Sequence, residues 1–126
     1  MVLGLGSDLI EISRIQESLE RFGERFLHRV FTEDEIAFCR LKKKNAAESF
    51  AARFAAKEAA AKALGTGISR GVSWLEIEVR RKAGEKPHLA LSGRAAAMAQ
   101  AIGVRRSQLT LTHGRDVAMA VVLLED

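Results

Sequence analysis

The sequence has one cysteine, one proline and no tyrosine among its 126 residues, and only 6% of it is aromatic. A single thiol, Cys39, cannot form an internal disulfide, and no Cys/His cluster has zinc-ligand spacing. Cys39 therefore reads as packing. No apolar run approaches bilayer-spanning length, and the N-terminus lacks a basic region followed by an apolar stretch and a cleavage site. The expectation is a soluble cytoplasmic protein with no membrane partner. There is no P-loop or dinucleotide fingerprint, and no aromatics interleave with the basic residues in the manner of a nucleic-acid surface.

Hydrophobic residues make up 48% of the chain and charged residues 29%, an ordinary globular balance for one domain over residues 1–126. We see no linker and no internal repeat. The formal charge of +4 and pI near 9.6 point to an anionic partner. A polyphosphate ligand or an acidic protein fits that charge as well as nucleic acid does.

The densest signal runs from Arg53 to Gly65. Alanine, leucine, lysine, arginine and glutamate favour helix, and Gly65 is a natural stop. The helix is expected to begin near Asn45, with Asn45 and Glu48 at capping-box spacing. Phe50, Phe54, Glu58 and Lys62 follow one i+4 ridge, so an aromatic row turns charged in mid-helix. Glu58 and Lys62 read either as a surface ion pair or as the edge of a cleft. Alanine on almost every side of this helix suits close packing and favours the cleft.

Before this helix, Met1 to Leu5 reads as a strand, Gly6-Ser7-Asp8 as a tight turn, and Ile12, Ile15, Leu19, Phe22 and Phe26 as the apolar face of a first helix. Asp8 and Glu11 have capping-box spacing, so Asp8 can be a helix cap. Gly4 and Gly6 favour a site reading, because they allow a backbone or a ligand to approach the strand end. Arg14, Ser18, Arg21 and Arg25 form a basic stripe, partly neutralised by Glu17, Glu20 and Glu24. Thr32 to Glu35 is a second capping box, opening a short helix that ends in Lys42-Lys43-Lys44, where the lysines suit a helix C-terminus or a phosphate.

The Gly-rich connection 65–71 can cradle an anion or serve as a flexible loop. Leu75, Ile77 and Val79 alternate as a strand with Trp74 at its start, Lys82 to Pro87 turns, and His88 to Leu91 returns. Ser92 or Gly93 then begins a helix to about Ile102, with Gly103 as its stop. Gln108 to Thr112 and Val117 to Leu124 form a closing hairpin, and Val121 to Leu124 reads as covered on both faces. His113 stands at a strand end, in an accessible place. The order is β-α-α-α-β-β-α-β-β, an α+β fold.

Gly4 to Glu11, Arg53 to Gly65 and Thr110-Leu111-Thr112-His113, taken in that order, resemble the 4'-phosphopantetheinyl transferases of the short holo-acyl-carrier-protein synthase type. The resemblance covers essentially the whole chain, and the ordered combination is specific. It implies transfer of the phosphopantetheine arm of coenzyme A to a serine of an acyl carrier protein, with release of adenosine 3',5'-bisphosphate. It also implies a homotrimer with sites between subunits. Asp8 and Glu58 would hold Mg²⁺ against the pyrophosphate, and Lys62 would neutralise the leaving phosphate. Lys44, Arg53, Gly65, Thr112 and His113 would contact coenzyme A, and Arg14, Arg21 and Arg25 would dock the acidic carrier. Many relatives have Ser where Thr110 and Thr112 stand, which keeps a hydroxyl, and Thr where Gly114 stands, which loses one.

The chemistry agrees with that assignment. Attack on a pyrophosphate needs in-line approach, charge neutralisation and a proton acceptor, and two carboxylates with phosphate oxygens make a shell that suits Mg²⁺. Either Glu58 or a metal-bound water can take the serine proton. Lys57 lies about 100° around the helix from Glu58 and has no catalytic role on this reading. The alternatives are a non-catalytic basic module that binds an acidic protein or nucleic acid, and a relative that has kept the fold and lost activity. The first gives no reason for Asp8 and Glu58 in apolar surroundings, and retention of Asp8, Glu58 and Lys62 argues against the second.

Overall fold

A computed structural model describes all 126 residues. Its elements are β1 (Val2–Glu11), α1 (Ile12–Phe22), α2 (Glu24–Val30), α3 (Glu33–Arg40), α4 (Ala46–Leu64), β2 (Ile77–Arg80), β3 (His88–Leu91), α5 (Gly93–Ala101), β4 (Arg106–His113) and β5 (Val117–Glu125). The larger sheet has the antiparallel order β1-β5-β4, and β2 and β3 form a separate hairpin. No helix is long and apolar enough to cross a membrane.

The alanine-rich helix is the centre of the molecule. Thirteen of the 19 residues of α4 are buried, so it has no broad solvent face. One side lies on the larger sheet, where Ala118, Ala120, Val122 and Leu124 of β5 turn inward and are buried. The register puts Gly4, Gly6, Asp8 and Ile10 of β1 beside those four residues, on the same face. Gly4 and Gly6 are required there by contact. A Cβ on Gly4 would overlap the carbonyl oxygen of Ala63, and one on Gly6 would overlap that of Ala59. The close approach expected from the two glycines is thus to the backbone of α4.

Several local expectations change. No turn forms at Gly6-Ser7-Asp8, because β1 runs unbroken to Glu11 along β5; Asp8 is a strand residue and caps nothing. The first helical stretch divides at Gly23, whose backbone (φ 55°, ψ −130°) ends α1 and starts α2. Asn45 makes no side-chain cap, since Lys43 to Asn45 form a 3₁₀ turn leading directly into α4. Trp74 to Glu76 is also a 3₁₀ turn, so the strand begins only at Ile77. Along β5 burial alternates, and Val121 and Leu123 lie on the face away from α4. That face also carries Leu5 and Leu9, which are 65% and 61% exposed.

The second capping box forms as expected: Thr32 Oγ1 accepts from the Glu35 N–H, and Glu35 Oε1 accepts from the Thr32 N–H. Glu35 does more than cap. Its side chain is fully buried, accepts from the Val79 N–H at 2.8 Å, and pairs with Lys57 Nζ at 2.8 Å. Lys57 also donates to the carbonyls of Trp74 at 3.0 Å and Ile77 at 2.6 Å. Burial draws the Lys57 pKa down and Glu35 opposes the shift. The three ammonium hydrogens thus meet three acceptors. Lys57 therefore ties α4 to α3 and to the start of β2.

The contact between β1 and α4 is tested by Gly6→Ala. It should lower unfolding stability by roughly 3 kcal/mol, the upper part of the overpacking range. Urea melts at an unchanged m-value would measure it.

Candidate active site

The glycine contact has a direct consequence for chemistry. By strand alternation Asp8 faces α4 like Gly4 and Gly6, and it arrives beside the turn that carries Glu58 and Lys62. Lys62 Nζ donates to Asp8 Oδ1 at 3.1 Å and to the Ser7 carbonyl at 3.0 Å. The Asp8 side chain is 18% exposed and that of Lys62 52%, so the pair is open to solvent. Glu58 is half-buried beside them. Its pKa is raised above the ordinary carboxylate value, first by burial and then by the negative charge of Asp8, with Lys62 opposing.

Two carboxylates that repel each other, with one ammonium to offset them, leave an unmet demand for positive charge. No group of three or more His, Cys, Asp or Glu side chains converges anywhere in the chain, so no all-protein metal cage exists. The donor set suits Mg²⁺, which uses one or two carboxylates and takes its remaining oxygens from phosphate and water.

A second, cationic region lies toward the other end of α4. Arg53 is buried, donates Nη1 to Ser49 Oγ at 3.0 Å, and stacks 4.2 Å over the Phe38 ring. Its Nε has no partner. The residue lines a cavity of about 340 Å³ whose polar wall includes Lys42, Glu48, Arg81 and His113. Arg53 and Arg81 also border a neighbouring hollow of about 530 Å³, lined as well by Lys82, His88, Asp34 and Glu85. Lys42 belongs to the lysine run that suits a helix C-terminus or a phosphate, whereas Arg81, Lys82 and His88 were not expected at a site. The run Arg80-Arg81-Lys82 at a hairpin end was the available signal, and it read only as the approach to a turn.

The remaining candidates are dispersed. Lys44 lies in the exposed 3₁₀ turn, outside the residues lining the cavity. Thr112 pairs with Met119 on the face of the sheet away from α4, whereas His113 returns to the α4 side. Gly65 is the left-handed stop of α4 (φ 86°). The N–H groups of Gly65, Thr66, Gly67 and Ser69 are all spent within the chain, which favours the capping role of this connection. Arg14 and Arg21 are exposed on α1, but Arg25 belongs to α2. There it borders a hollow of about 450 Å³ with Ser18, Phe22, Phe26 and Arg29.

Residues 4–122 match the 4'-phosphopantetheinyl transferase superfamily. The chain belongs to that family. The holo-[acyl-carrier-protein] synthase of Koribacter versatilis is 51% identical over 126 residues, covering 100% of both chains. Among solved structures, the transferase fold seen here superposes on the Neisseria meningitidis holo-[acyl-carrier-protein] synthase with a TM-score of 0.89, at 32% identity and full coverage of both chains. The Bacillus anthracis holo-(acyl-carrier-protein) synthase in complex with CoA (3',5'-ADP) gives 0.81 at 38% identity, covering 98% and 96%. The transferase expectation stands, and the non-catalytic module falls.

The raised pKa of Glu58 has a definite sign for stability. Between the unfolded carboxylate value near 4.5 and the higher folded value, the native state binds more protons than the unfolded one, so stability falls as pH rises. Glu58→Gln should therefore melt above the wild type at pH 7 without metal. The gap should close as pH drops below about 4.5, as scanning calorimetry at both pH values would show.

Proposed function

We propose that this protein transfers the 4'-phosphopantetheine arm of coenzyme A to a serine of an apo acyl carrier protein, releasing adenosine 3',5'-bisphosphate. The observation that carries this reading is the presence on α4 of Glu58 and Lys62, beside Asp8 of β1, together with a cationic cavity around Arg53 on the N-terminal side of them. Arg53 and Lys62 are nine residues apart, about 13 Å of helix rise. That spacing suits a ligand with phosphates at both ends of a nucleotide. The coenzyme-bound Bacillus anthracis relative supports the same substrate.

In this reaction the serine oxygen bonds to the phosphorus on the pantetheine side, and the bond from that phosphorus to the bridging oxygen breaks. Mg²⁺ held by Asp8 and Glu58 would supply charge neutralisation at the pyrophosphate. Lys62 stands beside the same carboxylates and stabilises the leaving phosphate. Either Glu58 or a water bound to the metal would take the serine proton. Arg53, preset by Ser49 and Phe38, holds the bare phosphate on the ribose, with His113 alongside. Lys44 and Gly65 would add coenzyme contacts from the rim.

Arg14, Arg21 and Arg25 receive the acidic carrier, next to the exposed ring of Phe22. The protein is a homotrimer on this reading. The exposed Leu5 and Leu9 and the neighbouring Val121 and Leu123 make an apolar sheet face of the kind that packs between subunits. Thr112, on that same side, would serve a neighbouring subunit's coenzyme. Buried Cys39, with no disulfide partner, accords with the cytoplasm.

Apo carrier incubated with the protein, coenzyme A and Mg²⁺ should gain one phosphopantetheine, roughly 340 Da by its covalent formula, and should gain nothing with excess EDTA. No gain with any of several apo carriers would sink the assignment. Glu58→Gln should lower turnover by roughly a hundredfold or more, as read by the same mass assay over time. Arg21→Glu with Arg25→Glu should raise the carrier KM by roughly tenfold and leave the coenzyme A KM in place. The wild-type rate at low carrier should fall as salt rises.

A further inference from the structure

The cavity around Arg53 contains one group that an anion alone does not explain. Lys42, Arg53, Arg81 and His113 contribute positive or ionisable nitrogen, and Glu48 contributes the only carboxylate among its lining residues. Glu48 makes no hydrogen bond. It does not cap α4, and its Oε2 stands 3.6 Å from His113 Nδ1, beyond hydrogen-bonding range. Neither carboxylate oxygen has a hydrogen-bond partner within the chain, and the residue lines the cavity.

An ionised carboxylate only accepts hydrogen bonds, so it repels a phosphate oxygen and attracts a hydroxyl. In a site for phosphate alone it would weaken binding. It gains a purpose where the ligand presents a hydroxyl beside its phosphate. Glu48 and Arg53 are five residues apart on α4, about 7.5 Å of rise, and line one cavity. A phosphate and the hydroxyl on the adjoining carbon fit between two such side chains.

We propose that Glu48 is the specificity-determining residue that accepts the ribose 2'-hydroxyl next to the 3'-phosphate of the coenzyme. The inference rests on the coenzyme A reading, which supplies a ribose with these two groups on neighbouring carbons. Glu48 thus selects the nucleotide through its sugar, and Arg53 through its phosphate. The pairing also discriminates against the isomer with phosphate at the 2' position, which would set its charge against the carboxylate.

Calorimetric titration of the full chain with adenosine 3',5'-bisphosphate and with its 2'-deoxy analogue tests this directly. The wild type should bind the deoxy nucleotide at least roughly tenfold more weakly, the range of a charge-assisted hydrogen bond. Glu48→Ala should reduce that ratio to within about twofold and bind the deoxy nucleotide no worse than the wild type does. Equal wild-type affinity for the two nucleotides would overturn the role of Glu48 while leaving the coenzyme reading intact, and this comparison needs no variant. A ratio that survives in Glu48→Ala would overturn it as well. Failure of the wild type to bind either nucleotide would overturn both readings together.

Discussion

The geometry of the candidate site depends on how closely β1 lies against α4. Two glycines on the strand face the carbonyl oxygens of Ala59 and Ala63, and neither position has room for a Cβ. Because alternate residues of a strand share a face, the same contact that seats Gly4 and Gly6 also aims Asp8 at the helix. A larger residue at position 4 or 6 would push β1 outward, and Asp8 would move away from Glu58 and Lys62 with it. The small residues of both elements are therefore a condition of the chemistry as well as of the packing.

Closeness alone leaves the rotation of α4 open, and Lys57 fixes it. Consecutive helix residues point about 100° apart. When Lys57 is held by Glu35, Trp74 and Ile77, Glu58 is directed to the neighbouring sector, toward β1. A buried ion pair is a poor source of net stability but a good determinant of a unique arrangement. The Phe50 and Phe54 positions of the same ridge complete the alignment, against Phe31 at 4.9 Å and Trp74 at 4.7 Å. Lys57 and Glu58, adjacent in the chain, thus divide the work between holding the helix and forming the site.

This division explains which features were legible in the sequence. Composition marked α4, alternation marked the strand through Ile77 and Val79, and the Thr32–Glu35 spacing marked its capping box, because each signal lies within a few residues. Asp8 was ambiguous for the same reason. Its spacing to Glu11 suits a cap, and only pairing with β5, more than a hundred residues away, makes it a strand residue. The partnership of Glu35 with Lys57 crosses 22 positions and leaves no periodic trace. Gly23 sits within an apolar pattern that continues to Phe26, and that pattern hides the backbone break between α1 and α2. Asp8, Glu58 and Lys62 were nonetheless recoverable as a set through the resemblance of whole motifs, which carries long-range pairing that local patterns lack.

Two positions within α4, Arg53 and Glu58, each have an electrostatic need that the folded chain does not meet. At Glu58 burial, and then the negative charge of Asp8, raise the proton affinity of the carboxylate. At Arg53 a guanidinium is buried with its Nε unpaired. The needs have opposite sign and lie on one rigid helix, so an inorganic anion meets only the second and a cation only the first. A regular nucleic-acid strand offers both positions the same repeating charge. On the proposed function, a nucleotide with a pyrophosphate at one end, neutralised by a divalent cation, and a bare phosphate on its ribose would meet both at once. That complementarity is the physical reason to favour a coenzyme over the other anionic partners that the +4 charge allows.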